Sequence, residues 1–181
     1  MHNAAASNKT LSTSLIPLLG HSFGGYETSF IINHTRMFAA AVASGAITDL
    51  RSYYLSVGWN NSKPNMWRFG TEDWKLSGKT PFENPADFDR NSPLESVRQL
   101  DTPLLMWTGK KDTQVDWHQS IEYYLALRRL GKKSVLLLYP GEHHVPTNPI
   151  NQKDIFERVL QWMDYYLKDE KKFQWIKQAM E

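Results

Sequence analysis

The chain has 181 residues, 41% of them hydrophobic and 22% charged, which allows one domain with one sizeable core and excludes collagen-like, low-complexity and disordered classes. Its 21 Lys and Arg stand against 19 Asp and Glu, a formal net charge of +2 scattered along the sequence, so no nucleic-acid partner is expected. No apolar run approaches the roughly 18 residues that span a bilayer, so no membrane partner is expected, and with no cysteine there is no disulfide, thiolate metal site or thiol nucleophile.

Residues 1–13 are small and polar without an apolar period and read as a poorly ordered tail. Four short apolar runs follow at Leu15 to Leu19, Phe38 to Ala43, Leu104 to Trp107 and Val135 to Tyr139, the pattern of buried parallel strands. Helices are expected from Tyr26 to about His34, and from about His118 to Leu130 with Ile121, Leu125 and Leu127 inward and Gly131 as its cap. A terminal helix carries Ile155, Val159, Leu160, Met163 and Leu167 at spacings of three and four, and Lys168 to Lys172 reads as its solvated end. Alternating strand and helix predicts an α/β architecture with a mostly parallel sheet of about four strands flanked by helices. Residues 46–102, dense in Trp, Tyr, Asn, Pro and Gly and including Trp59, Trp67 and Trp74, interrupt the alternation. A structureless loop of that length is uncommon, so short helices folded over one end of the sheet are expected there.

Gly20-His21-Ser22-Phe23-Gly24-Gly25 directly follows the first apolar run and directly precedes a helical pattern, the strand-turn-helix context of a nucleophile elbow. Ser22 is then held on a strained turn with its hydroxyl projecting, and glycines at 20 and 24 let backbone and helix approach closely. The competing reading is a glycine-rich turn that feeds a helix N-terminus for phosphate. A nucleophile needs a base, and the partners in this architecture follow as an acid and then a histidine beyond later strand ends. Asp112 lies beyond the third run, in competition with Asp116, which could be a helix cap, and His143-His144 lie beyond the fourth. Of the other histidines, His2 falls in the tail, His34 and His118 lie at helix ends, and His21 is expected to pack beside the elbow.

These residues resemble the C-terminal catalytic region of the prolyl oligopeptidase family of serine peptidases, which have the α/β-hydrolase fold. The likeness rests on GHSFGGYE around Ser22, PFENPADFDRNSPL from Pro81 to Leu94, TPLLMWTGKKDTQV leading to Asp112, and LLLYPGEHHV from Leu136 to Val145, and extends from about Leu15 to Leu167. The family pattern Tyr-Pro-Gly-Glu-Gly-His assigns the catalytic role to His144 and puts His143 at the Gly position. The resemblance implies a serine-type peptidase acting on peptide substrates through Ser22, Asp112 and His144 by way of an acyl-enzyme, with the Phe23 amide as oxyanion donor and no metal or organic cofactor. It also implies a substrate pocket lined by Phe23, Tyr54 and Val115. A further pocket tyrosine of dipeptidyl-peptidase-like members is Gly58 here, so a proline preference does not carry over.

Only 21 residues precede Ser22, whereas a full α/β-hydrolase places on the order of 100 ahead of its elbow at usual element and loop lengths. The expectation is therefore a partial catalytic domain over 14–181, with 46–102 as a lid or pocket insertion, and without the N-terminal strands, the family's β-propeller and the loop that offers a second oxyanion donor. Weak activity in isolation follows, as does an exposed edge at Leu15 to Leu19 that favours self-association or docking to an upstream chain. The rival readings are a carboxyl-ester hydrolase with the same triad and an inactive fragment that serves as an interaction module. The first residues do not read as a signal peptide, and family members occur in both cytoplasm and periplasm.

Overall fold

The computed structural model describes residues 15–71 and 76–181; the expected tail, His2 and Trp74 lie outside them. Four strands, β1 (Ile16–His21), β2 (Phe38–Ser44), β5 (Leu104–Gly109) and β6 (Ser134–Tyr139), form one parallel sheet in the order β1-β2-β5-β6. Each apolar run of the sequence became a strand, extended by one or two residues where ladder partners continue, as His21 does opposite Ser44 and Gly109 opposite Tyr139. Successive side chains point to opposite faces. Ala41, Ala43, Leu104 and Met106 meet Ile32 of α1 (Phe23–His34) and Tyr123 and Leu127 of α5 (His118–Arg129) on one face. On the other face, Ala40, Val42, Leu105 and Val135 meet Trp162 and Tyr165 of α6 (Pro149–Leu167) and Ile176 of α7 (Gln174–Met180). Coverage on both faces explains why the central strands are continuously apolar.

The helix faces differ in detail from the pattern read in the sequence. In α5 Leu125 is exposed and Tyr123 takes the inward place, its hydroxyl donating to Asn33 Oδ1 at 2.8 Å. In α6 Leu160 is exposed, and Trp162, fully buried, fills the centre of the interface. Both differences have one cause: the larger ring fills the gap between helix and sheet, and turns the aliphatic residue at the flank of the stripe toward solvent. Beyond Lys172 the chain folds back as α7, which the sequence reading did not anticipate. Gly131, with left-handed backbone, closes α5 as expected.

The segment from 46 to 102 is built of short pieces. They are α2 (Leu50–Tyr54), a small antiparallel hairpin of β3 (Val57–Gly58) and β4 (Lys63–Pro64), α3 (Arg68–Thr71), α4 (Pro85–Asn91), and two 3₁₀ turns at Asn65–Trp67 and Val97–Gln99. Buried polar side chains fasten it to the core. Gln119 accepts from the amides of Thr48 and Asp49 at 2.8 and 2.9 Å and donates to Ser52 Oγ at 2.6 Å. Asn33 of α1 donates to the Pro93 carbonyl and to Ser96 Oγ, and Tyr26 donates to the Asn91 carbonyl. The PFENPADFDRNSPL stretch is thus a strap over α1, which accounts for its turn and cap chemistry.

Candidate active site

Ser22 occupies the single residue between β1 and α1, with φ 59° and ψ −121°, a left-handed conformation that costs a non-glycine residue about 1–3 kcal/mol. Two backbone bonds hold it there: its amide donates to the Ser44 carbonyl at 2.8 Å, and its carbonyl accepts from Tyr26 at 3.0 Å as the first bond of α1. The turn is this tight because Gly20 has no side chain; a Cβ at that position would land on the Gly24 carbonyl. The close approaches belong to Gly20 and to Gly25, which faces the Ser44 carbonyl, while a Cβ on Gly24 would meet nothing within 4 Å. The expectation that Gly24 is required for lack of space is corrected accordingly. The helix begins at Phe23, three residues before the expected start, because its first turn grows out of the Ser22 carbonyl.

Asp112 lies in the turn after β5. Its Oδ1 accepts from the amides of Gln114 and Val115 at 2.8 and 3.0 Å, which leaves Oδ2 to accept from His144 Nδ1 at 2.6 Å. Because an ionised carboxylate can only accept, the proton on that edge belongs to His144 Nδ1 and Nε2 carries the free lone pair. Ser22 Oγ stands 2.8 Å from Nε2 and donates to it. The side chains of His144 and Asp112 are almost completely withdrawn from solvent, at 7% and 1% exposure. Asp116 is set apart from this chain: its Oδ1 takes the His118 amide and Nδ1 at the start of α5, the cap role weighed for it above.

Glu142 holds the loop that carries His144, a role the sequence reading left unassigned. Its buried carboxylate accepts from Asn151 Nδ2 at 2.6 Å, the Thr147 amide at 2.7 Å and the Asn148 amide at 3.3 Å, and these bonds hold its pKa below the ordinary glutamate value. The Glu142 carbonyl also accepts from Lys111 at 2.9 Å, so the acid loop and the histidine loop are tied directly. In the sequence the available signal was an acidic residue two positions before His144, just beyond the fourth apolar run.

The three pocket residues expected from the sequence come together. Val115 belongs to a buried aromatic cluster with Tyr26, Ile47, Leu50, Tyr53, Phe69 and Phe88, and Phe23 and Tyr54 pack against it. Tyr54 meets Phe69 and Phe88 edge-on at ring separations of 5.2 and 5.6 Å, arrangements favoured by ring quadrupoles. A small pocket of about 110 Å³ opens beside Tyr54, lined by Met66, Phe69, Gly78, Lys79 and Thr80. His21 packs beside the elbow as expected, its ring stacked on Trp107.

A parallel sheet with a strained serine at a strand-to-helix turn and an acid and a histidine beyond later strand ends defines an α/β-hydrolase architecture. The Pyrococcus horikoshii acylaminoacyl peptidase shares the fold, with a TM-score of 0.76 at 22% identity, over 94% of this chain and 27% of that one. The family model described as the prolyl oligopeptidase family matches residues 1–170, and the chain belongs to that family. Among curated relatives, dipeptidyl-peptidase 5 of Schizosaccharomyces pombe is 30% identical over 83% of this chain and 21% of its own length. The uncharacterized peptidase YuxL of Bacillus subtilis is 27% identical over 82% of this chain and 22% of its own. The chain thus spans about a fifth of the length of the curated relatives it matches.

Proposed function

We propose that this chain carries the reacting groups of a serine peptidase, with Ser22 as nucleophile, His144 as general base and acid, and Asp112 as the residue that fixes the histidine. The observation that carries the reading is the unbroken series of hydrogen bonds from Ser22 Oγ through both nitrogens of His144 to Asp112, on an imidazole and a carboxylate almost out of solvent. Ser22 Oγ bonds to the scissile carbonyl carbon as its proton passes to His144 Nε2. The tetrahedral oxyanion takes the backbone amide of Phe23, the first residue of α1, and the helix N-terminus adds a favourable field. Collapse expels the amine, which receives its proton from His144, and leaves an acyl-enzyme that water cleaves by the same steps in reverse. Asp112 stabilises the imidazolium formed at each stage.

Phe23 and Tyr54 pack against the buried cluster that holds Val115, and Tyr54 lines a small pocket beside it, which supports this side as the resting place of an apolar substrate residue; family membership supports peptides as the substrates. The test is hydrolysis of peptidyl p-nitroanilides against p-nitrophenyl esters, with Ser22→Ala as control. Anilide cleavage lost in the control supports a peptidase; ester cleavage alone, at any anilide concentration, supports a carboxyl-ester hydrolase instead.

The exposed edge also predicts a partner. Within the described sheet β1 pairs only with β2, and Leu15, Ile16 and Leu19 beside that edge are exposed. An unpaired apolar edge is a template for another strand, so the purified chain self-associates as concentration rises and Leu19→Lys weakens the association. A chain that elutes as a monomer at every concentration rejects this.

A further inference from the structure

His21 does more than occupy space beside the elbow. Its ring lies on Trp107 at a centroid separation of 5.3 Å and an interplanar angle of 13°. Its other neighbour is His144, at 4.7 Å and 41°. The rotation of the ring is fixed, because Nδ1 donates at 2.9 Å to Ser44 Oγ, which in turn donates to the Gly20 carbonyl at 3.4 Å. Gly45 makes the pairing of imidazoles feasible: its φ is +50°, and a Cβ there would stand 3.1 Å from His144 Cε1 and 3.3 Å from His21 Cε1.

The catalytic cycle gives this packing a specific use. In the resting site His144 is held at both ends, by Asp112 at Nδ1 and Ser22 at Nε2. Once Ser22 is acylated its hydroxyl proton is gone and the bond to Nε2 is lost. The imidazole is then tethered at one end only, yet it must stay in place to take a proton from the attacking water.

We propose that His21 is a positioning residue for the second half of the reaction: its ring, clamped between Trp107 and Ser44, keeps His144 in line while the acyl-enzyme awaits water. This rests on the reading of Ser22, His144 and Asp112 given above. The step it supports is deacylation: the water oxygen bonds to the acyl carbon, its proton moves to His144 Nε2, and Ser22 Oγ departs and recovers that proton. The charged or titratable groups facing His21 among the described residues are His144, which opposes a positive charge on it, and Asp112, which favours one. His21 keeps an exposed side, and the partial desolvation of its ring against Trp107 and His144, with the like charge of His144 second, holds its pKa below the ordinary histidine value. A neutral His21 suits a neighbour that becomes imidazolium in both halves of the cycle.

The test is steady-state hydrolysis of a p-nitrophenyl ester, for which deacylation limits turnover, together with mass spectrometry of the adduct on Ser22. His21→Ala should lower kcat by roughly tenfold and lower KM with it, leave kcat/KM within about twofold, and raise the fraction of acylated protein at substrate levels near or below the KM of the parent. His21→Phe, which keeps a ring against Trp107, should return kcat to within about threefold of the parent chain. Loss of fold would depress kcat/KM as well, so an equal fall in kcat and kcat/KM overturns the proposal. So does a His21→Phe variant no better than His21→Ala, or a His21→Ala variant that turns over like the parent. A parent chain that forms no adduct at Ser22 refutes the triad reading itself, and this inference with it.

Discussion

Two regions beside Ser22, a polar wall and an aromatic wall, are built by different physics. The polar wall consists of Ser22, Asp112, Glu142 and His144, each at or just beyond the end of a sheet strand and held by directed hydrogen bonds of 2.6 to 3.3 Å. The aromatic wall gathers Tyr26, Tyr53, Phe69 and Phe88, with Phe23 and Tyr54 against them, from four helices and the segments between, and its cohesion comes from contact area. Directed bonds tolerate almost no change of partner. Packed rings tolerate a change of shape as long as volume is kept. The polar wall should therefore respond to single substitutions as a switch and the aromatic wall by degrees.

The largest effect falls on the hydrogen-bonded chain itself. Ser22→Ala or His144→Ala should reduce hydrolysis by about a millionfold, and the double variant should be no worse than either alone, since groups acting as one unit are not additive. Turnover and thermal unfolding of all three proteins check this, and the folded state should be retained. Losses that simply add would mean that the two residues act separately.

Stability offers the next contrast. Phe88→Ala, at the centre of the aromatic wall, should destabilise the protein by about 3–5 kcal/mol, whereas Phe88→Leu keeps most of the volume and should cost below about 2 kcal/mol. Denaturant melts measure both. On the other face of the sheet Trp162→Ala belongs with the first group, while Leu160→Ser and Leu125→Ser, both at exposed positions, should stay within about 0.5 kcal/mol of the parent.

Glu142 joins the polar wall to pH. Its folded pKa is depressed by its bonds to Asn151, Thr147 and Asn148, so its contribution to stability is fully present above the ordinary glutamate pKa and is lost as pH falls through the folded value. Glu142→Gln should lower the melting temperature at neutral pH, and the gap to the parent chain should close on acidification. A gap that stays constant into acid would show that the charge on Glu142 contributes nothing.

The same division explains what was legible in the sequence. Strands β1, β2, β5 and β6 were readable because sheets covered on both faces require uninterrupted apolar runs, and the elbow was readable because only Gly20 allows the Gly24 carbonyl so close. The acid and histidine followed from their places beyond strand ends. Leu125 and Leu160 were misjudged because a spacing of three and four marks a stripe without saying which member is at its centre; Tyr123 and Trp162 took that place by size. The fastening of residues 46–102 by Gln119 and Asn33 depends on partners at least 60 residues away in sequence, and α7 is tied by Arg128, which donates to the Ala179 and Met180 carbonyls from 51 and 52 residues away; both are beyond the reach of local pattern.

The most direct measurement of the central claim is covalent labelling of the 181-residue chain with a fluorophosphonate, with the adduct located by peptide mass spectrometry. A single adduct on Ser22, absent from His144→Ala, is the predicted result. A folded chain that leaves Ser22 unmodified, or that is modified there equally well without His144, would contradict the account.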